Sequence, residues 1–285
     1  MSSVLNELLA LLKLEVIEKG IYRGQSQDLG FRALFGGQVM GQALSAAQAT
    51  IDEDRFIHSL HSYFLLAGDA SKPVVYEVED IRNGNSFSTR RVKAIQNGKA
   101  IFYMTASFQK FEQGFDHQDS MPTVPGPDGL ASYSDFIIKN QNAFPQPMRD
   151  KLLAEMPIEM RPIKQYNWLK PEKTDSTYQT WLKTNGSLPD DLRDHSSMLA
   201  YASDFQFLPA SLLPHGASHF SPNFQIATVD HAMWFHRPFR FDDWLLYCID
   251  SPSASNGRGL VRGQIYNRKG ELVASTMQEG VIRQR

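Results

Sequence analysis

Asp204 lies in Tyr201-Ala202-Ser203-Asp204-Phe205-Gln206-Phe207-Leu208, among apolar and aromatic neighbours. A carboxylate in such surroundings must be paired or hydrogen-bonded, or its pKa rises. Either condition suits a general base. A solvated place at a helix end accounts for the same residue equally well. Thr228 stands in Gln225-Ile226-Ala227-Thr228-Val229-Asp230-His231, a run that reads as a strand, where threonine is common for packing reasons alone. Gln278 follows Ala274-Ser275-Thr276-Met277 in another strand-like run, where an outward polar residue is the plain account. Cys248, the single cysteine, sits mid-strand in Trp244-Leu245-Leu246-Tyr247-Cys248-Ile249 and reads as a buried, inert thiol rather than a nucleophile. His58 and His61 fall on opposite faces of an extended strand, as do His231 and His236, so neither pair makes a metal site and no metal is expected. The chain has no G-x-S-x-G elbow, no G-x-G-x-x-G and no Gly-rich phosphate loop.

The elements that would position these residues follow from periodicity. Residues 1–20 predict an amphipathic helix with Ser3 as N-cap, Leu5, Leu8, Leu9, Leu12 and Val16 on one face, and Gly20 as the stop. A second helix is expected over 37–50, with Val39, Met40, Ala43, Ala46 and Ala47 forming a small-residue face. Strands are expected over 56–65, 74–80, 87–96 and 101–108, with turns at Asn83-Gly84-Asn85 and Asn97-Gly98. Seven prolines fall between Met121 and Pro162, and that stretch predicts a linker with a helix over 148–156 and buried Phe136, Ile137, Ile138 and Phe144. At an offset of 170 the second half repeats the first. His61 falls on His231, Phe64 on Trp234 and Asp80 on Asp250, and a helix over 198–204 stands where 37–50 stood. The expectation is an α+β double hot-dog: two repeats, each a long helix wrapped by an antiparallel sheet. The repeats would span 1–115 and 166–285, joined by the Pro-rich linker 116–165.

Composition narrows the function. The 285 residues are 42% hydrophobic and 21% charged, ordinary for a soluble protein. Such a chain buries roughly three quarters of its unfolded surface and needs no staples. With 29 Lys+Arg against 31 Asp+Glu, duplex nucleic acid is a poor partner. No apolar run reaches the length of a membrane span, and the N-terminal stretch lacks the basic start of a signal peptide, so a cytoplasmic protein is expected.

Several longer stretches, taken together, are specific. They include Tyr22-Arg23-Gly24-Gln25-Ser26, Phe35-Gly36-Gly37-Gln38-Val39, His61-Ser62-Tyr63-Phe64-Leu65 and Arg82-Asn83-Gly84-Asn85-Ser86-Phe87-Ser88-Thr89-Arg90. Others are Ile101-Phe102-Tyr103-Met104-Thr105-Ala106-Ser107-Phe108, Ala202-Ser203-Asp204, Asp230-His231-Ala232-Met233-Trp234-Phe235-His236-Arg237-Pro238-Phe239 and Gln278-Glu279-Gly280. Over essentially its whole length the chain resembles the acyl-CoA thioesterase II family of bacterial double hot-dog enzymes. The resemblance implies hydrolysis of fatty acyl-CoA without a cofactor, a catalytic trio of Asp204, Thr228 and Gln278, and assembly as a homodimer or homotetramer. One departure is visible: Leu66-Ala67-Gly68 stands where the family carries Arg-Pro-Gly, whereas Arg237-Pro238 keeps the pattern in the second half.

In this reading Asp204 takes a proton from a water that attacks the thioester carbonyl, while Thr228 and Gln278 fix that water. His58, on the repeat partner of the Thr228 strand, is a candidate accessory residue. Arg90 and Arg258, like Arg91 and Arg262, lie in corresponding segments and are candidates for the coenzyme A phosphates; solvated strand residues explain them equally well. Two other readings stand beside this one. A hot-dog hydratase or dehydratase would want a histidine near Asp204, and His195 is nine residues away. A non-catalytic acyl-CoA-binding protein would have no use for the trio.

Overall fold

The computed structural model describes residues 3–30, 33–221 and 224–284. Helix α1 (Ser3–Leu12) buries Leu5, Leu8 and Leu12. It is shorter than the sequence predicts, and Ser3 is its first described turn rather than a flanking cap. The β-branched pair Val16-Ile17 leaves the helix and forms β1 (Glu15–Glu18), which returns as β2 (Ile21–Gly24). Gly20, at φ +75°, makes the turn between them. Val16 is consequently exposed instead of joining the helix face.

Helix α2 (Gly36–Gln48) follows, then four antiparallel strands: β3 (Arg55–Phe64), β4 (Val74–Asn83), β5 (Phe87–Gln96) and β6 (Lys99–Lys110). Asn97 and Gly98 both have positive φ, as the β5–β6 hairpin requires. The proline-rich stretch carries α3 (Tyr133–Lys139), α4 (Gln146–Leu152) and β7 (Ile158–Pro162). Ser132 and Asp135 cap α3 reciprocally. Helix α4 begins and ends earlier than predicted, and Ile138 is exposed while Ile137 and Phe144 are buried. The reason is α3's single buried stripe, which turns Ile138 outward.

The remaining elements are β8 (Thr177–Thr184), α5 (Leu192–Ala202), a 3₁₀ segment (Leu208–His215), β9 (Phe224–Thr228), β10 (Asp230–Phe235), β11 (Leu245–Ser255), β12 (Arg258–Asn267) and β13 (Leu272–Gln284). Two expectations change here. Helix α5 ends before Asp204, and the strand expected over 225–231 is broken at Val229, whose N–H bonds to the Glu279 carbonyl.

The described strands form one antiparallel sheet in the order β1-β2-β4-β5-β6-β3-β10-β13-β12-β11-β8-β7, with β9 paired to β13. Read from the two edges inward, that order matches β1 with β7, β2 with β8, β4 with β11, β5 with β12, β6 with β13 and β3 with β10. The halves join where Asp230–Trp234 pairs with Ser59–Tyr63. Helices α2 and α5 lie side by side on the inner face and run antiparallel. The start of α2 meets the residues just past the end of α5, and Arg193 at the start of α5 bonds the carbonyls of Ile51 and Asp52 past the end of α2. Ser45 and Ser197 meet mid-crossing at 3.1 Å. The core beneath them is built from the inward residues of both halves, including Tyr76, Val92, Phe102, Met104, Phe108, Met198, Tyr201, Phe207, Tyr247 and Ile265.

On the outer face, Met121, Val124 and Leu130 of the linker pack with Trp181, Trp244, Leu246, Tyr266 and Leu272. Trp181 Nε1 donates to the Pro125 carbonyl, and Gln118 bonds both Gly270 and Leu272. Within the linker stretch, β7 pairs with β8 and so extends the second half's sheet edge.

Candidate active site

Three separate elements bring Asp204, Thr228 and Gln278 together. Asp204 sits two residues past α5, half-buried. Its Oδ2 accepts the backbone N–H of Gly37 at 3.0 Å. That N–H belongs to the first turn of α2, whose N-cap Phe35 offers no side-chain acceptor, so the carboxylate from the other half of the chain satisfies an orphan donor. The approach is possible only because Gly36 and Gly37 lack side chains. A Cβ on Gly37 would lie 2.2 Å from the Tyr201 carbonyl oxygen, and one on Gly36 would lie 2.8 Å from Asp204 Oδ2.

Gln278 is fully buried and inward-facing on β13. Its Nε2 donates to Thr228 Oγ1 at 2.8 Å, and its side chain lies close enough to Asp204 to lower that carboxyl's pKa. Its Oε1 lies 2.7 Å from Nδ1 of His231, itself fully buried. The other ring nitrogen of His231 lies 3.2 Å from Ser203 Oγ. Thr228 ends β9 opposite Gly280, and the break at Val229 lets its hydroxyl reach Gln278 instead of following the alternation of β10. The end of α5 is fixed from below by Tyr247, whose hydroxyl donates to the Ser203 carbonyl at 3.1 Å and bonds Thr276 Oγ1 at 2.8 Å.

Burial is the dominant electrostatic fact here. It pushes the Asp204 carboxyl up to about 6, against the lowering effect of the Gly37 N–H and Gln278. The same desolvation holds His231 down to about 4, so the ring is neutral at neutral pH. The cluster is thus a poised carboxylate beside a threonine hydroxyl, a buried amide and a neutral imidazole. It can accept a proton from, and orient, one small polar molecule.

The other candidates lie elsewhere. His58 bonds Ser107 Oγ at 2.8 Å and meets Phe87 edge-on. It stands at the far end of β3 from Thr228, roughly 20 Å along the sheet. The two halves join antiparallel, so positions equivalent by repeat fall at opposite ends of the molecule, and His58 is not brought to the trio. A bulge between Ile57 and Ser59 interrupts the strict alternation expected there, and the nearby His61 adds to burial in lowering the His58 pKa. Arg90 is buried and spends its donors on Thr50 Oγ1 and the carbonyls of Thr50, Arg82 and Thr89, beside Asp80. It ties the end of α2 to the sheet, buried and with four of its five N–H groups already spent. Arg258 differs. It is part-exposed at the start of β12, paired with Glu279 at 2.9 Å, on the same sheet end as Gln278.

His195 lies in the first turn of α5, about 13 Å of helix from Asp204, with Nδ1 accepting the Phe241 N–H at 2.9 Å. The Cys248 thiol is half-buried, pushed up to about 11, and bonded to Gln179 at 3.8 Å. Arg237 bonds the Leu272 carbonyl and pairs with Asp116 of the linker. Among the described residues no three His, Cys, Asp or Glu cluster as metal ligands, and no helix is long and apolar enough to cross a membrane.

Sequence reasoning missed His231, Ser203 and the Gly37 N–H as members of this cluster. One signal was present: His231 occupies an inward register position beside Met233, where a polar residue needs a buried partner.

Comparison with known proteins shows the fold and the family. A structure described as a hot-dog fold protein from Alicyclobacillus acidocaldarius superimposes with a TM-score of 0.79 over 97% of this chain and 98% of its own, at 20% identity, which defines the fold as hot-dog. Residues 25–109 match the family described as Acyl-CoA thioesterase N-terminal domain, and 148–281 the one described as Acyl-CoA thioesterase. Acyl-CoA thioesterase 2 of Haemophilus influenzae is 46% identical over 283 residues, 99% of each chain. The crystal structure of an acyl-CoA thioesterase II from Mycobacterium marinum is 40% identical, with a TM-score of 0.80 over 98% of both chains. The chain belongs to the acyl-CoA thioesterase II family.

Proposed function

We propose that this protein hydrolyses fatty acyl-CoA to free fatty acid and coenzyme A by direct attack of water, with Asp204, Thr228 and Gln278 as the catalytic trio. Family membership makes the chain a hydrolase of thioester bonds. The observation that carries the mechanism is the convergence of these three side chains from three elements onto one buried spot. A water held there donates one hydrogen to Asp204 and accepts from the Thr228 hydroxyl. Its oxygen attacks the carbonyl carbon as its proton passes to the carboxylate. The tetrahedral intermediate then expels the thiolate, and protonated Asp204 returns the proton to sulfur. No serine or cysteine acyl-enzyme is needed. A base whose pKa is near 6 is mostly ionised at pH 7 yet holds a proton better than an ordinary aspartate.

Arg258 is retained as the candidate contact for a coenzyme A phosphate, because it lies on the trio's end of the sheet and is part-exposed. His58 and Arg90 are not. The hydratase reading loses support because His195 and Asp204 lie at opposite ends of α5. The mirrored strand order favours a double hot-dog built by duplication, with the working site kept by the second repeat of residues 166–285 and the first, residues 1–115, supplying the Gly37 N–H. Assembly as a homodimer or homotetramer and a cytoplasmic setting complete the proposal, the latter supported by the lone, unpaired cysteine.

The test is thiol release from a long-chain acyl-CoA by the wild type and by Asp204→Ala. Loss of kcat by about a hundredfold or more in a folded variant is expected. Equal release from both would move the base elsewhere. No release from any acyl-CoA, with loss of crotonyl-CoA absorbance instead, would hand the site to hydration chemistry.

A further inference from the structure

The mechanism above leaves one buried titratable group of the cluster unused. Among the described residues His231 makes no hydrogen bond to Asp204 or Thr228. It touches Gln278 through Nδ1, at 2.7 Å, and Ser203 through the other nitrogen, at 3.2 Å. Its own strand is pinned by Ser62 Oγ, which donates to the His231 carbonyl at 2.8 Å, and Phe207 packs at the ring with centroids 5.5 Å apart. The ring is therefore fixed in place by both halves of the sheet.

Donor and acceptor bookkeeping gives this arrangement a direction. An ionised Asp204 can only accept, so the Gln278 amide must turn its nitrogen toward it. The same nitrogen donates to Thr228. Gln278 Oε1 then faces His231 and can only accept, so Nδ1 must carry the ring's hydrogen. Burial keeps the ring neutral, which leaves Nε2 bare and facing the Ser203 hydroxyl, whose single hydrogen is shared between Nε2 at 3.2 Å and the Ala200 carbonyl at 2.9 Å. A flipped amide would put an oxygen against the carboxylate.

We propose that His231, held by Ser203, is a positioning residue of the thioesterase site: its Nδ1–H pins the Gln278 amide in the orientation that serves Asp204 and Thr228. The chain of hydrogen bonds runs one way, from His231 through Gln278 to Thr228 Oγ1. Thr228 accepts from the amide, so its own O–H is left to donate to the attacking water. This inference rests on the trio reading of the preceding subsection.

The experiment is a double-mutant cycle in thiol release, with kcat and KM measured for wild type, His231→Leu, Gln278→Ala and the double variant. His231→Leu removes the donor and is expected to lower kcat about tenfold or more with KM little changed. His231→Asn keeps a donor near Nδ1 and should recover most of kcat. In the Gln278→Ala background, His231→Leu should cost nothing further. A folded His231→Leu enzyme with wild-type kcat overturns the proposal, and so does a loss repeated in full on Gln278→Ala. Full activity of Gln278→Ala would instead overturn the trio reading itself. Should His231→Leu fail to fold, the ¹⁵N shifts of the wild-type ring at pH 7 decide. A protonated Nδ1 with a bare Nε2 supports the assignment, and the opposite tautomer or an imidazolium overturns it.

Discussion

The Gly37 N–H and the Gln278 side chain both favour the Asp204 anion, yet its pKa lies at about 6 because desolvation outweighs both. If it is the base, kcat/KM should fall about tenfold per pH unit below 6. A pH profile of thiol release checks this, and an acid limb that begins only near pH 4 would remove Asp204 from the role. The same raised pKa has a stability consequence of opposite direction. Between the ordinary 3.8 and about 6 the folded state holds a proton that the unfolded chain has released, so Asp204 costs stability as pH rises through that window. The difference amounts to at most roughly 3 kcal/mol. Asp204→Asn, which keeps an acceptor for Gly37, should therefore be inactive and more resistant to urea than wild type at pH 7.5. At pH 4 the two should be nearly alike.

At the scale of elements, the site depends on how closely α2 approaches the end of α5. Gly37→Ala places a methyl group 2.2 Å from the Tyr201 carbonyl, which is backbone and cannot rotate away. The helices must separate, at about 1–3 kcal/mol, and the Gly37–Asp204 hydrogen bond lengthens with them. Both a lower melting temperature and a lower kcat are expected, whereas Gly98→Ala, where a Cβ meets nothing but positive φ is needed, should affect stability alone. A Gly37→Ala enzyme with unchanged kcat would show that the α2 start does not matter to the carboxylate. The break at Val229 is the second device. Without it Thr228 would follow the alternation of Asp230 and Ala232 and lie on the wrong side of the sheet.

For the whole molecule, acid stability is set by histidines that burial keeps neutral. His231 and His219 both titrate near 4 in the fold, well below the ordinary 6.5. Between those values the unfolded chain binds protons that the folded chain refuses, so stability falls as pH falls from about 6.5 to 4. Asp204 opposes this over part of the range, but two rings outweigh one carboxyl. The urea midpoint should drop markedly between pH 7 and pH 4.5. An unchanged midpoint would mean that the rings are not buried as described. At this scale the sheet also explains why only one working cluster is expected. The halves mirror each other about the β3–β10 seam, so the first half's equivalent lies at the far end, where His58 meets Ser107 and, among the described residues, neither is hydrogen-bonded to a carboxylate.

Periodicity and turn chemistry by themselves determined most of the first half: α2, four strands, and the Asn97-Gly98 hairpin, because each follows from local propensity and alternation. They also gave the expectation that the second half repeats it, since helix, strands and hairpin recur in order. The family resemblance, which no single motif would have carried, pointed to Asp204, Thr228 and Gln278. What only the tertiary structure decided is how these meet. A register across β9 and β13, a strand break at Val229, and a glycine in α2 that accepts close contact from α5 are long-range facts with no local signature. The same holds for Arg90, which looks like a free cation in a strand but is buried and bonded to Thr50 past the end of α2 and to the carbonyls of Arg82 and Thr89 in the sheet. His231 is the sharpest case: its type and position were visible, but its part in the site follows only from which partner the fold places at each ring nitrogen.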